Sequence, residues 1–495
     1  MHHTTTFISL YGTMVSTGQT AQHHHHPTQQ SSVCNDALLR VKLAATKISR
    51  HLLQTVCRTV AAMLLLLVAD TAYAQNAAPV IPTETSNASI QTTWIVSEHP
   101  PFRAAYSGTN SLLPIHEKAY TWTVTAYFGY RPFADTELYF NPEMIQSTQY
   151  SGLHGLGGFN NNENQKAGET SPTFYRARLF ARQTWNLGGE KVQQVSGPNQ
   201  LAGSVDANRV VLTVGNIATP DIFDNNLYAH DARTQFMNWT FYSHIMSDFP
   251  ADGRGYTWGT ALEYYRGDWV VRIGQFVQPK ESNGLYLEHS LTRHPGQQIE
   301  IEHAHTLFNQ PGKLRLLAFR NHANMGNFDE AVTYARLNGG TPDLANVRRD
   351  QNKIGAGINL EQAINDDVGV FARAGFNNGK TETYQFAEVD RSISGGAVIK
   401  GRTWGREKDT AGIAAARNGI SAAHRAYLAA GGLGAFIGDG KLPNYRAEQL
   451  LEAYYNFALN SHATLALDYQ HIANPAYNAD RGPLNTYAVR LHLEY

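Results

Sequence analysis

The stretch TFYRARLFARQTW, Thr173–Trp185, decides how this chain is read. Extended backbone sends successive side chains to opposite faces, so Arg176, Arg178, Phe180, Arg182 and Thr184 share one face. Tyr175, Ala177, Leu179, Ala181, Gln183 and Trp185 share the other. A soluble sheet would bury the apolar face and leave the arginines in water. A membrane β-barrel turns the apolar face to lipid and the arginines to an aqueous lumen, with aromatic residues at both rims.

The flanking chain selects the barrel. Period-two segments of about ten residues recur throughout. Lys118–Tyr130 sets Tyr120, Trp122, Val124, Ala126, Phe128 and Tyr130 against Thr121, Thr123, Thr125 and Tyr127. Thr136–Met144 sets Leu138, Phe140 and Met144 against Glu137, Tyr139, Asn141 and Glu143. Asn208–Thr219, Tyr256–Arg266, Asp268–Gln278, Gln298–Thr306, Lys313–Arg320, Asn352–Glu361 and Val368–Phe376 continue the series. A weaker pair in Tyr384–Arg402 and Thr410–Ile420 precedes Gln449–Leu459 and His462–Ile472. With Gln91–Ser97 at the start and Asn485–Tyr495 at the end, the count is about sixteen strands, an even number in the porin range. Short turns such as Arg131–Asp135 and Asn365–Asp367 alternate with long segments such as Ser147–Pro172 and Pro220–Gly255, as periplasmic turns alternate with external loops. Leu187–Ala207 breaks the rule: it should be a short turn and is long.

Composition agrees. A net charge of −1, with only 16% charged residues and no basic cluster, excludes a nucleic-acid partner. The mean hydropathy of −0.37 does not argue against a membrane, because lumen-facing and lipid-facing residues average out along each strand. Both cysteines, Cys34 and Cys57, lie near the N-terminus, so no disulfide framework is expected in the rest of the chain. Residues 1–46 read as a leader of unknown role that includes the run His23–His26. Lys47, Arg50 and Arg58, the apolar run Val60–Ala69 and the A-x-A arrangement before Gln75 make residues 47–74 a secretory signal peptide. Residues 75–495 are then an exported barrel.

Several longer stretches add to the pattern: HPPFRAAYSGTNSL (His99–Leu112), ELYFNPEMIQ (Glu137–Gln146), GLHGLGGFNNNENQKAG (Gly152–Gly168), PTFYRARLFARQTW (Pro172–Trp185), DNNLYAHDARTQFMNW (Asp224–Trp239) and AAHRAYLAAGGLGAFIGDGKLPNY (Ala422–Tyr445). Together they resemble the carbohydrate-selective porin family of Gram-negative outer membranes. The resemblance implies an all-β, antiparallel up-and-down transmembrane barrel in the outer membrane that passes sugars by diffusion. It supplies no catalytic motif and no cofactor. The alternating C-terminal strand ending in Tyr495 resembles the signal read by the barrel-assembly machinery of that membrane. Partners expected are transported sugars, outer-membrane lipid and that machinery, with a homo-oligomer left open.

The residues themselves suggest a constriction. A long external loop folded inward narrows a porin lumen, and Pro220–Gly255 is long enough to do so, carrying Asp221, Asp224 and Asp231. Arg176, Arg178 and Arg182 on one strand, and Glu137, Tyr139, Asn141 and Glu143 on its neighbour, complete a predicted ring of donors and acceptors. Such a ring can exchange hydrogen bonds with sugar hydroxyls at little net gain, and weak binding is what conduction needs. Tyr139, Phe180 and Trp258 offer aromatic faces for pyranose rings. Arginines also brace a wall by pairing with carboxylates, and a paired guanidinium keeps spare donors.

Other functions fit less well. An anion-selective or general diffusion pore is the nearest alternative, but an anion pore needs excess positive charge, which Glu137, Glu143 and the loop acids oppose. An outer-membrane barrel enzyme lacks a convincing nucleophile. Glu300 and Glu302 face opposite to His303 and His305 in a strand, which prevents one four-ligand metal site. Glu137 and Glu143 stand about 20 Å apart at roughly 3.3 Å per residue, beyond glycosidase spacings. A calcium site among the loop acids matches no EF-hand spacing.

Overall fold

The computed structural model describes residues 82–166 and 169–495. The leader and the signal peptide lie outside the described residues. Among these, sixteen strands close into one antiparallel barrel. In chain order the strands are β1 (Ser86–His99), β2 (Glu117–Phe133), β3 (Thr136–Thr148), β4 (Thr173–Asn186), β5 (Lys191–Gln194), β6 (Gly203–Asp206), β7 (Arg209–Ile217), β8 (Thr257–Arg266) and β9 (Trp269–Val277). They continue as β10 (Pro295–Leu307), β11 (Gln310–Met325), β12 (Arg349–Ala363), β13 (Val368–Asn377), β14 (Arg391–Lys400), β15 (Thr410–Gly419), β16 (Glu448–Ala458), β17 (Ala463–Ala473) and β18 (Leu484–Glu494). Every barrel strand pairs with its neighbour in the chain, and β1 closes on β18 from Gln91↔Glu494 to Glu98↔Tyr487. Only β5 and β6 stand apart, as a separate two-stranded hairpin.

Closure leaves no free sheet edge, the condition for strands in lipid. No helix among the described residues is long and apolar enough to cross a membrane. The outward face carries exposed aliphatics, among them Val214, Ile273, Ile301, Leu316, Ile358, Ile413, Leu467 and Val489. Such a band would be an unusually large apolar patch in water and is the expected lipid contact of a barrel. Exposed Tyr130, Phe133, Trp185, Trp269, Phe308 and Tyr495 sit near the short-turn end, forming an aromatic girdle.

One irregularity in the wall matters for function. β3 and β4 pair in regular register from Thr136↔Gln183 to Asn141↔Arg178, then resume at Pro142↔Arg176, so Ala177 has no partner. Pro142 has no N–H to give the ladder, and a β-bulge absorbs the mismatch. Because strand faces alternate, one inserted residue inverts every side chain beyond it. Phe180, Arg182 and Thr184 face inward as their alternation predicts. Tyr175 and Ala177 also turn inward, while Arg176 turns outward and stacks on exposed Trp258, with its guanidinium 5.0 Å from the ring centre. The expected single face for all three arginines is thereby corrected.

The third external loop, residues 218–256, folds into the barrel as expected and carries the single turn α1 (Trp239–Tyr242), capped by Asn238 accepting from the Thr240 amide. Wall side chains capture its backbone. Glu452 accepts from the amides of Met237 (2.5 Å) and Asn238 (3.1 Å), and Glu361 accepts from Leu227 (2.8 Å). Arg490 donates to the carbonyls of Ala232 (2.8 Å) and Gln235 (2.7 Å). Burying a loop costs free energy unless its polar groups are satisfied, and these carboxylates and arginine satisfy them. The second loop also folds inward, which the sequence reading did not anticipate: Asn160, Asn161, Asn162, Glu163 and Asn164 are all buried.

Candidate functional site

Where β3, β4 and the two inward loops meet, a cavity of about 280 Å³ is lined by charged and aromatic side chains. Glu143 from β3 is its hub. It accepts from Thr125 (2.5 Å), Lys166 (3.1 Å), Arg233 (2.9 Å) and Tyr256 (3.2 Å), and also from the Tyr175 hydroxyl. Arg233, from the third loop, reaches Glu163 of the second loop through Nε at 3.0 Å. One buried guanidinium thus ties two loops to the wall. Its flanking carboxylates outweigh the cost of burial, so its pKa lies well above the ordinary arginine value. Arg178 from β4 grips Asp221 with two parallel bonds, Nε to Oδ2 at 2.7 Å and Nη2 to Oδ1 at 2.6 Å.

The charges lining this cavity balance. Lys166, Arg178, Arg233 and Arg254 stand against Glu143, Glu163, Asp221 and Asp231, four of each sign. His230 adds no charge at neutral pH, because burial pushes its pKa below the ordinary histidine value. Aromatic faces complete the lining: Arg178 lies over Tyr256 at 5.2 Å and Arg254 over Tyr175 at 4.8 Å.

The ten residues singled out from the sequence do not form one ring. Arg178, Glu143, Asp221 and Asp231 line the cavity. Glu137, Tyr139 and Arg182 gather four to six residues lower on the strands, about 13–20 Å along them at the usual rise. There Glu137 accepts from Arg131 (2.6 Å), Tyr139 (2.8 Å) and Arg182 (3.4 Å). Asn141 faces inward and is fully buried, without lining the cavity. Asp224 is a loop anchor: its Oδ1 accepts from Asn359 (2.5 Å) and Arg373 (3.0 Å), and its Oδ2 from the His244 amide. Arg373 holds its carboxyl below the ordinary range despite burial. Arg176 is outside, for the reason given by the bulge. Of the aromatics expected to stack on sugars, Tyr139 and Phe180 stack on each other, with ring centres 4.9 Å apart, and Trp258 faces outward.

Two features escaped the sequence reading. The first is the hairpin inside residues 187–208, the segment too long for a periplasmic turn. β5 and β6 pair from Lys191↔Asp206 to Gln194↔Gly203, and their tip enters the barrel mouth. The Leu201 amide donates to the Tyr139 hydroxyl at 3.2 Å, Arg182 donates to the Asn199 carbonyl at 3.1 Å, and Asn87 donates to Ser196, Gly197 and Gln200. Leu201 is fully buried among Tyr139, Phe180, Phe223, Phe276 and Leu317, which belong to the wall and the third loop. Pro198 and Asn199 line the cavity from below. Its anomalous length was the only sequence signal.

The second feature is a charge ladder on the inner wall. Glu263 (β8), Arg272 (β9), Glu300 and Glu302 (β10), Arg315 (β11) and Glu361 (β12) pair in succession at 2.7–3.1 Å. All are buried. The inward placement of Glu300 and Glu302, opposite to His303, agrees with the period-two reading, and their role here is bracing. Sequence alternation shows that these residues face inward but not that they meet.

A family model described as carbohydrate-selective porin, OprB family, matches residues 129–495, from the end of β2 through β18. No curated protein matches the chain significantly. Among solved structures, the high-pH structure of Pseudomonas putida OprB is 15% identical with a TM-score of 0.63, covering 83% of this chain and 94% of its own. The outer membrane channel DcaP of Acinetobacter baumannii is 8% identical with a TM-score of 0.47, covering 83% and 97%. The first of these shares the fold. The closed barrel, its outward apolar band and the extent of the family match lead to one assignment: this chain belongs to the OprB family of carbohydrate-selective porins and is a sugar-selective channel of the outer membrane.

Proposed function

We propose that the channel passes mono- and oligosaccharides passively, and that the charge-balanced cavity between β3, β4 and the second and third loops selects them. The observation that carries this reading is the equality of four cationic and four anionic side chains on one lining. Ion-selective pores use rings of one sign. A ring of zero net charge favours neither sign of ion overall, yet presents fixed donors and acceptors that can replace the hydration of sugar hydroxyls. Arg178, Glu143, Asp221 and Asp231 act here together with Lys166, Glu163, Arg233 and Arg254. Glu137, Tyr139 and Arg182 act lower down, where they hold the β5–β6 tip across the exit. β18, with Tyr495 directly after it, is the segment we assign to the barrel-assembly machinery, and the aliphatic band is the surface assigned to lipid.

Liposome swelling tests the proposal. Vesicles containing the purified protein should swell in isosmotic monosaccharide, and more slowly as the sugar lengthens. Swelling no faster than in protein-free vesicles would sink it. A strong ion preference in a salt gradient would favour a charged pore instead.

A further inference from the structure

At the external rim, the residue before β10 and strands β11 and β12 bring His294, His322 and Asp350 together, with one ligand-type atom of each within 4.8 Å of the others. His322 and Asp350 alternate with inward-facing Ala323 and Lys353, so they lie on the outer side of the wall. The balanced cavity uses none of the three.

Both imidazoles are oriented through Nδ1. His322 Nδ1 lies 3.0 Å from Asn352 Oδ1, an oxygen that also accepts from Arg320 Nε at 2.9 Å. An amide oxygen only accepts, so Nδ1 carries the proton and Nε2 of the neutral ring carries the lone pair. His294 Nδ1 lies 3.0 Å from Glu288 Oε1 and donates to it by the same logic. Nε2 of a neutral His294 then points its lone pair at Asp350 Oδ1, only 3.0 Å away. Two acceptors at that distance repel unless positive charge lies between them. A metal cation turns the repulsion into two bonds. A carboxylate or amide oxygen behind Nδ1 is how proteins orient histidines that bind metals. The Asp350 side chain is 60% exposed and that of His294 only 6%, so the site has a rigid floor and an open side for a water ligand.

We propose that His294, His322 and Asp350 form an external-rim site for a transition-metal cation of the Zn²⁺ class, with Glu288 and Asn352 as positioning residues. Two imidazoles and one carboxylate suit such a cation better than Mg²⁺ or Ca²⁺, which take oxygen ligands. The competing arrangement is a His294 imidazolium braced between Glu288 and Asp350 without metal.

Zn²⁺ binding to the purified full chain, measured by competition with a chromophoric chelator, separates the two. The remaining histidines are the same in every variant, so differences between variants report this site alone. His322→Ala and Asp350→Ala should each lose one equivalent of bound Zn²⁺ per chain while keeping the migration of the folded barrel on unheated gels. Glu288→Gln should keep that equivalent but bind it about 10-fold more weakly or worse. Equal stoichiometry and affinity in the unaltered chain and His322→Ala, the outcome of an imidazolium bridge, would overturn the proposal.

Discussion

Arg178 and Asp221 join the barrel wall to the start of the third loop by a two-pronged ion pair at 2.7 and 2.6 Å. Two residues earlier on the same strand, Arg176 points the other way and lies over Trp258. Side chains two apart on a regular strand would share a face, and the bulge at Ala177 is why these do not. The pair therefore makes a sharp comparison. Arg178→Ala removes one of four balanced cations and frees Asp221, so reversal potentials in a potassium chloride gradient should move toward cation preference. A charge worth about 1 kcal/mol at such distances in an aqueous pore corresponds to a several-fold change in permeability ratio. Arg176→Ala should leave the ratio unchanged. Equal effects from both would refute the outward placement of Arg176.

Arg233 carries a structural load as well. It is buried between Glu143 and Glu163 and holds the second and third loops to β3. Truncating one partner of a buried ion pair costs roughly 3–5 kcal/mol, because the remaining charges stay desolvated. Arg233→Ala should detach the third loop, raising single-channel conductance and protease sensitivity within residues 218–256. Arg233→Lys should rescue only in part, since an ammonium cannot reproduce the guanidinium fork that meets both carboxylates.

The β5–β6 hairpin is predicted to be the exit restriction. Replacing residues 190–206 by a short turn removes Leu201 from its buried seat and Asn199 from Arg182. Conductance should rise while charge selectivity stays the same, because the eight charged groups above are untouched. A channel of unchanged conductance would return the hairpin to a purely structural role.

A pH effect should appear in the external loops. His424 lies on α2 (Ala422–Ala429), capped by Ser421, and is wholly buried. Its Nδ1 sits 3.1 Å from Asp390 and its Nε2 3.4 Å from Glu388, both on residues 378–390. Burial alone would lower its pKa, but the two carboxylates outweigh it and raise the value from 6.5 to about 9. The folded value exceeds the unfolded one. The stabilisation is therefore complete below about pH 6.5 and is lost as pH rises through about 9. Hydrogen exchange across residues 421–429, taken relative to the intrinsic rate at each pH, should quicken between neutral pH and about pH 10 in the unaltered chain. In His424→Gln it should be fast and independent of that ionisation.

Strand existence, number and facing were legible in the sequence because each depends on local alternation. β2, β3, β10 and β18 lie where their period-two patterns place them, and even the weak pair after Tyr384 is present as β14 and β15. The inward face of Glu137, Tyr139, Asn141 and Glu143 was likewise readable. Depth along the pore was not. Alternation assigns a face and says nothing about what descends from a loop to meet it, so Asp224 passed for a pore acid and Lys166, Glu163, Arg233 and Arg254 passed unnoticed.

The sequence by itself determined that this chain is a barrel with an apolar exterior, a polar interior and a long third loop, since period-two patterning and loop length are properties of neighbouring residues. Only the tertiary structure decided which arginine of TFYRARLFARQTW reaches the pore. A bulge is a mismatch between two strands, with Pro142 on one and Ala177 on the other. Likewise, a cavity of balanced charge arises only where the wall and two inward loops converge. Neither relationship exists until distant segments are brought into register.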